Sequence, residues 1–184
     1  MKNICKFLFV IVIVAFASCD NKKTEPAPQN VEDSLDIADP DSTLYGICGE
    51  GTSMHMLELV TDDHGTVNLM VDIDDEEMET VKGGLIAGDR LALIIGVVNG
   101  DTIARNVINL TTLEGKWTSL DRNFEIVQGG EVLSTLQSES NPYTSWKIHN
   151  GQLLLGRDSF DILTLGADSL EVENSKGIFV YTRK

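Results

Sequence analysis

From Leu44 onward the chain alternates short apolar runs, rich in Val, Ile, Leu and Thr, with turn residues. The turn signals recur roughly every eight to twelve residues, the rhythm of an all-β domain. The pattern predicts strands over 44–50, 54–60, 66–72, 80–86, 90–98 and 102–109. A second series is predicted over 115–120, 123–128, 131–137, 143–149, 152–156, 159–166, 169–174 and 177–183. Asp63-His64-Gly65, Asn99-Gly100 and Asn150-Gly151 place glycine where a tight hairpin requires positive φ. Helical periodicity is confined to a turn or two, with Asp74–Thr80 the best short segment.

Two strands differ in kind. Ser159–Leu165 carries one apolar face at Phe160 and Ile162, whereas Leu91–Val98 is apolar on both faces. A strand with both faces apolar should be covered on both sides. The expected cover is the C-terminal half of the chain or a partner. Asn109-Leu110-Thr111-Thr112-Leu113-Glu114 reads as the junction between the two series.

Upstream, residues 20–42 are polar, acidic and proline-bearing, too poor in apolar surface to offset their ordering entropy. They read as a tether. Before them, Lys2 and Lys6 precede an apolar run from Phe7 to Ala17, which closes in Phe16-Ala17-Ser18-Cys19. The run is about half the roughly 20 residues needed to span a bilayer, and matches a signal h-region. This segment resembles the lipobox of bacterial lipoproteins. It departs from that pattern at Phe16, where an aliphatic residue is usual. The resemblance implies a signal peptide over 1–18, lipid on Cys19, a lipidated tether over 19–42, and membrane attachment in the cell envelope, the outer membrane ahead of the inner. Cleavage after Ala15, Ala17 or Ser18 with ordinary secretion is the alternative.

Charge and cysteines sharpen this picture. The chain holds 14 Lys+Arg and 29 Asp+Glu, a net of −15. Loss of Lys2 and Lys6 with the signal leaves 12 basic side chains and a net of −17. Such a surface repels phosphate backbones, so no nucleic-acid partner is expected. It either attracts a cationic partner or simply keeps the chain soluble. Of three cysteines, Cys5 departs with the signal and Cys19 carries lipid, so Cys48 has no disulfide partner. Cys48 sits in the strand-like Tyr45-Gly46-Ile47-Cys48-Gly49 and reads as a buried thiol; His55 is the one base in sequence reach. Alternation with Leu57 and Leu59 points His55 towards a core.

At Gly115-x-Trp117 the second series resembles the lipocalin-like domains of bacterial lipoproteins. A Gly-x-Trp opens the first strand, a meander follows, and the last strand closes in Phe179-Val180-Tyr181-Thr182-Arg183. The resemblance covers 113–184 and implies that Trp117 and Arg183 touch as a barrel-closing pair. It further implies an aromatic ligand wall from Tyr143, Trp146, Phe160, Phe179 and Tyr181, whose alternative role is core packing. Gly83-Gly84-Leu85-Ile86-Ala87-Gly88-Asp89-Arg90-Leu91 is similar to the glycine-bend and tight-turn rhythm of oligonucleotide/oligosaccharide-binding (OB) barrels. The expected fold is all-β: a small OB-like barrel over 43–112 packed against a lipocalin-like barrel or half-barrel over 113–184.

No chemistry-bearing motif competes with a binding role. The carboxylates of Asp72-Ile73-Asp74-Asp75-Glu76-Glu77-Met78-Glu79 lack the glycine of an EF-hand loop and read as a solvated turn. His55, His64 and His149 have no metal-ligand spacing. Neither a Gly-x-Ser-x-Gly elbow nor a phosphate loop is present. The sequence thus points to a non-enzymatic envelope lipoprotein without cofactor or metal. It would bind a small apolar ligand or, alternatively, an envelope protein, as an interaction or stress-sensing module.

Overall fold

The computed structural model describes residues 40–71, 80–134 and 141–183, all within one compact unit. The signal segment, Cys19, the tether as far as Asp39, the Asp74–Thr80 helix expectation up to Glu79, and the acidic run 72–79 lie outside the described residues.

The first series folds as β1 (Leu44–Cys48), β2 (Met56–Thr61), β3 (Gly65–Val71), β4 (Val81–Lys82), β5 (Arg90–Val98) and β6 (Asp101–Asn109). Neighbours run antiparallel in the order β3-β2-β1-β5-β6. A parallel pairing of β3 with β6, at Met70↔Ile103 and Val71↔Ala104, closes these five strands into an OB-like barrel. Inward alternation fills it with Cys48, Leu57, Leu59, Leu69, Val71, Leu91, Leu93, Ala104 and Val107. Each buried Leu or Val among them contributes about 1.5–3 kcal/mol.

The junction is a single helical turn, α1 (Leu110–Leu113). Asn109, fully buried, caps it: its Oδ1 accepts from Thr112 N at 2.9 Å. The same side chain donates to Gly84 O at 3.1 Å and to Asp89 Oδ2 at 2.6 Å. One asparagine therefore fixes both the helix start and the glycine bend.

The second series folds as β7 (Gly115–Thr118), β8 (Asn123–Val127), β9 (Glu131–Ser134), β10 (Trp146–His149), β11 (Gln152–Leu155), β12 (Asp158–Leu165), β13 (Ser169–Asn174) and β14 (Gly177–Thr182). They form an eight-stranded antiparallel meander, nearly closed. β9 meets the residue before β10 through one bridge, Glu131↔Ser145, and β14 meets β7 through one pair, Thr182↔Thr118. A β-bulge between Ile162 and Thr164 shifts the alternation of β12, so Phe160, Ile162 and Leu165 all reach the core.

The two barrels are keyed together. Ala92 and Ile108, from the first barrel, and Leu110 and Leu113, from α1, belong to the second barrel's core. Side chains of the first barrel donate to backbone carbonyls of the second: Tyr45 OH to Ile148 O at 2.9 Å and Lys82 Nζ to Leu163 O, in the bulge, at 2.8 Å. The Asn150-Gly151 turn holds the incoming chain: Asn150 Oδ1 accepts from Ser42 N at 2.8 Å, and Asn150 N donates to Thr43 Oγ1 at 2.9 Å.

The hairpin turns match the sequence reading, with positive φ at Gly65, at Asn99 and Gly100, and at Asn150 and Gly151. Three expectations need correction. The strand over 80–86 shrinks to Val81–Lys82, because Gly83 and Gly84 both take positive φ and turn the chain away from β6. His55 is exposed: a turn over Met54 and His55 precedes β2 and breaks its alternation with Leu57 and Leu59. Leu91–Val98 is covered on both faces only in its first half. Leu91 and Leu93 fill one core and Ala92 the other, but beyond the bulge between Ala92 and Ile94 the chain emerges, leaving Val97 70% exposed.

Candidate binding groove at the barrel seam

Gly-x-Trp places Trp117 inward on β7, where it is fully buried and donates Nε1–H to Leu113 O at 2.8 Å. Gly115 takes φ +130°, and a side chain there would lie 3.4 Å from the Arg183 guanidinium carbon. That carbon sits 4.4 Å from the centroid of the Trp117 ring. The guanidinium Nη2 also donates to Thr112 O, and to Glu114 O at 3.0 Å. The pair expected from the family resemblance is therefore in contact. It ties the chain's last strand to α1 and to the first strand of the barrel.

The seam opens immediately beyond this pin. β7 ends at Thr118 and turns, with Ser119 N donating to Arg122 O at 2.8 Å. The stretch of β14 facing that turn, Ile178–Tyr181, has no strand on this side among the described residues. Arg183 N donates to Asp168 O, on the β13 side. Strand alternation then turns the peptide groups of Phe179 and Tyr181 towards β13, and those of Ile178 and Val180 towards the seam. A groove of about 700 Å³ runs there, lined by Thr118–Arg122 on one wall and Ile178–Thr182 on the other. Its rim is apolar: Leu120 is fully exposed at the tip of the turn, Ile178 is 59% exposed and Val180 52%.

The barrel interior is packed with side chains. Phe124 meets Tyr143 edge-on at 5.6 Å and Tyr181 at 5.0 Å between ring centroids. The chain continues from Tyr143 to Phe160 at 6.3 Å and from Phe160 to Phe179 at 5.8 Å. Each edge-to-face pair contributes about 0.5–1.5 kcal/mol beyond its buried area.

The five aromatics expected to form one ligand wall are thus divided. Phe179 and Tyr181 line the seam groove, while Tyr143 and Phe160 are central links of the aromatic core. Trp146 lies elsewhere, with its Nε1–H on Val127 O at 2.7 Å, beside a cleft of about 480 Å³ between the barrels. That cleft also receives Tyr45, Arg90 and Glu114. Burial pushes the Glu114 carboxyl above its ordinary range. Arg90 forks onto both carboxylate oxygens of Asp62, and this bonding holds Asp62 below its ordinary range.

The remaining candidates are dispersed. Cys48 is buried with its Sγ 3.4 Å from Thr52 Oγ1; His55 and His64 are exposed. His149 is 6% exposed, with Nδ1 3.5 Å from Asp41 Oδ1. Among the described residues no three metal-ligating side chains converge, and no helix is long and apolar enough to cross a membrane. Sequence reasoning missed Leu120, Ile178 and Val180 as site residues. Leu120, an apolar residue between Ser119 and Asp121 in a turn, carried a readable signal; the unpaired edge of β14 carried none.

Arg183→Ala should destabilise the chain by about 3–5 kcal/mol, through loss of the cation–π contact and of two bonds to carbonyls. Arg183→Lys should restore only part of this, since one ammonium cannot reproduce the planar fork. Urea unfolding of the three proteins measures it, and an unchanged midpoint in Arg183→Ala would contradict the pinning role. Comparison with known protein families, curated proteins and solved structures returns no match.

Proposed function

We propose that this chain is a non-enzymatic, lipid-anchored lipoprotein of the cell envelope, more at home in the outer than in the inner membrane, and that it binds its ligand through the lipocalin-like domain. The seam groove beside β14 carries this reading. It is concave, lies between β14 and the Ser119–Arg122 turn, and is flanked by exposed Leu120, Ile178 and Val180. The packed aromatic interior favours a ligand lying along the seam over one enclosed in the lumen. An elongated occupant suits this shape, and that favours the protein-interaction reading over a compact small molecule. The lipobox-like Phe16-Ala17-Ser18-Cys19 supports the anchor, and the acidic stretch after it supports a spacer.

Two measurements test the proposal. Cys19→Ala should abolish labelling by radioactive palmitate and release the protein from membranes; a labelled, membrane-bound variant contradicts the anchor. The apolar dye phenylnaphthylamine should bind the full chain saturably and bind Leu120→Asp about tenfold more weakly, as expected when one exposed leucine contact is replaced by a charge. Equal binding to both proteins contradicts the groove.

A further inference from the structure

The alternation along β14 leaves the peptide groups of Ile178 and Val180 facing a groove rather than a strand. The opposite wall cannot supply a ladder, because the Ser119–Arg122 turn bonds to itself. The gap between this turn and β14 is therefore a slot with one hydrogen-bonding edge. The stretch of β14 beside the slot, Ile178–Tyr181, spans about 13 Å at roughly 3.3 Å per residue. Side chains of a strand laid in the slot would alternate between Phe179 and Tyr181 on the inner face and Ile178 and Val180 on the outer.

Resting on the groove reading above, we infer that the seam is a strand-addition site for an extended polypeptide segment carrying Lys or Arg at alternate positions. Main-chain bonds to an open edge supply affinity in this mode, and alternate side chains supply selectivity. The charge requirement follows from the register. Glu171 lies opposite Val180 and Glu173 opposite Ile178 on β13, and Asp121 stands on the other wall. Outer-face residues of an added strand would lie two strand spacings, about 10 Å, from Glu171 and Glu173, within reach of long basic side chains and about one Debye length at 0.1 M salt. Arg122, the basic residue of the groove wall, is held 4.3 Å over the Tyr143 ring and donates to Asn141 O. A second copy of this chain brings a net −15 of its own, which opposes self-pairing at this edge.

The test is fluorescence anisotropy with the full chain in detergent micelles and a labelled peptide alternating lysine and valine. A second probe has the same sequence with its backbone nitrogens methylated, which keeps the charge and removes the ladder donors. The first probe should bind saturably and the methylated one at least about tenfold more weakly. Val180→Pro removes a seam-facing N–H without touching a β13 bond and should weaken the first probe about tenfold, whereas Val180→Thr should stay within about twofold. Equal binding of the two probes overturns strand addition, whatever Val180→Pro does to folding, and leaves only attraction by charge. Absence of peptide binding, with the dye still sensitive to Leu120→Asp, overturns strand addition and leaves the groove reading standing. Loss of both overturns both. Self-association of the wild-type chain that Val180→Pro abolishes would give the edge to a second copy and overturn the basic-segment assignment.

Discussion

The second barrel is drawn shut by a cation resting on an indole. β7 has four residues, too few to run alongside β14, and the two strands share a single ladder pair. Hydrogen bonding along the seam is therefore too little to hold the meander closed. Arg183 supplies the closure at one end, stacked on Trp117 and bonded to the carbonyls of Thr112 and Glu114. A cation–π contact contributes about 0.5–2 kcal/mol, and hydrogen bonds from a charged group about 1.5–3 each. These terms act at the α1 end only. The other end, beside the Ser119–Arg122 turn, stays open, and the groove follows from that asymmetry.

The pin works because α1 is itself anchored. Asn109 anchors the start of the turn to Gly84 and Asp89 of the first barrel, and Leu110 and Leu113 bury into the second. The carbonyls that receive Arg183 are thus fixed from both sides. Tyr45 and Lys82 add bonds to Ile148 and Leu163. Keeping Lys82 6% exposed would be costly unless its ammonium were satisfied, and the bulge in β12 supplies a carbonyl for it. The first barrel acts on the edge of β14 indirectly, as a brace that holds the closing strand of the second.

Much of this was legible in the sequence. Each strand of both barrels was readable because period-two alternation and Asn-Gly turns are local signals, and the contact between Trp117 and Arg183 followed from a short motif at the two ends of one domain. What was illegible depended on register or on bulges. The positive φ of Gly83 and Gly84 truncated a strand that apolar content alone extends to Ile86. The bulges in β5 and β12 moved Ile95 and Val97 outward and Leu165 inward, and no alternation rule sees a bulge in advance. The open edge of β14 arises from a mismatch in strand length with β7, two elements separated by most of the domain. The aromatics were grouped as one ligand wall, with core packing as the alternative. Their division into core, groove and cleft required the actual packing.

The central claim is that, among the described residues, the Ile178–Tyr181 stretch of β14 is laddered on its β13 edge only, and amide hydrogen exchange followed residue by residue by NMR tests it most directly. The N–H groups of Phe179 and Tyr181, facing β13, should exchange slowly. Those of Ile178 and Val180, facing the seam, should exchange far faster, giving an alternation of protection along a single strand. Uniform protection from Ile178 to Tyr181 would mean that the seam is closed along its length, and would contradict the account.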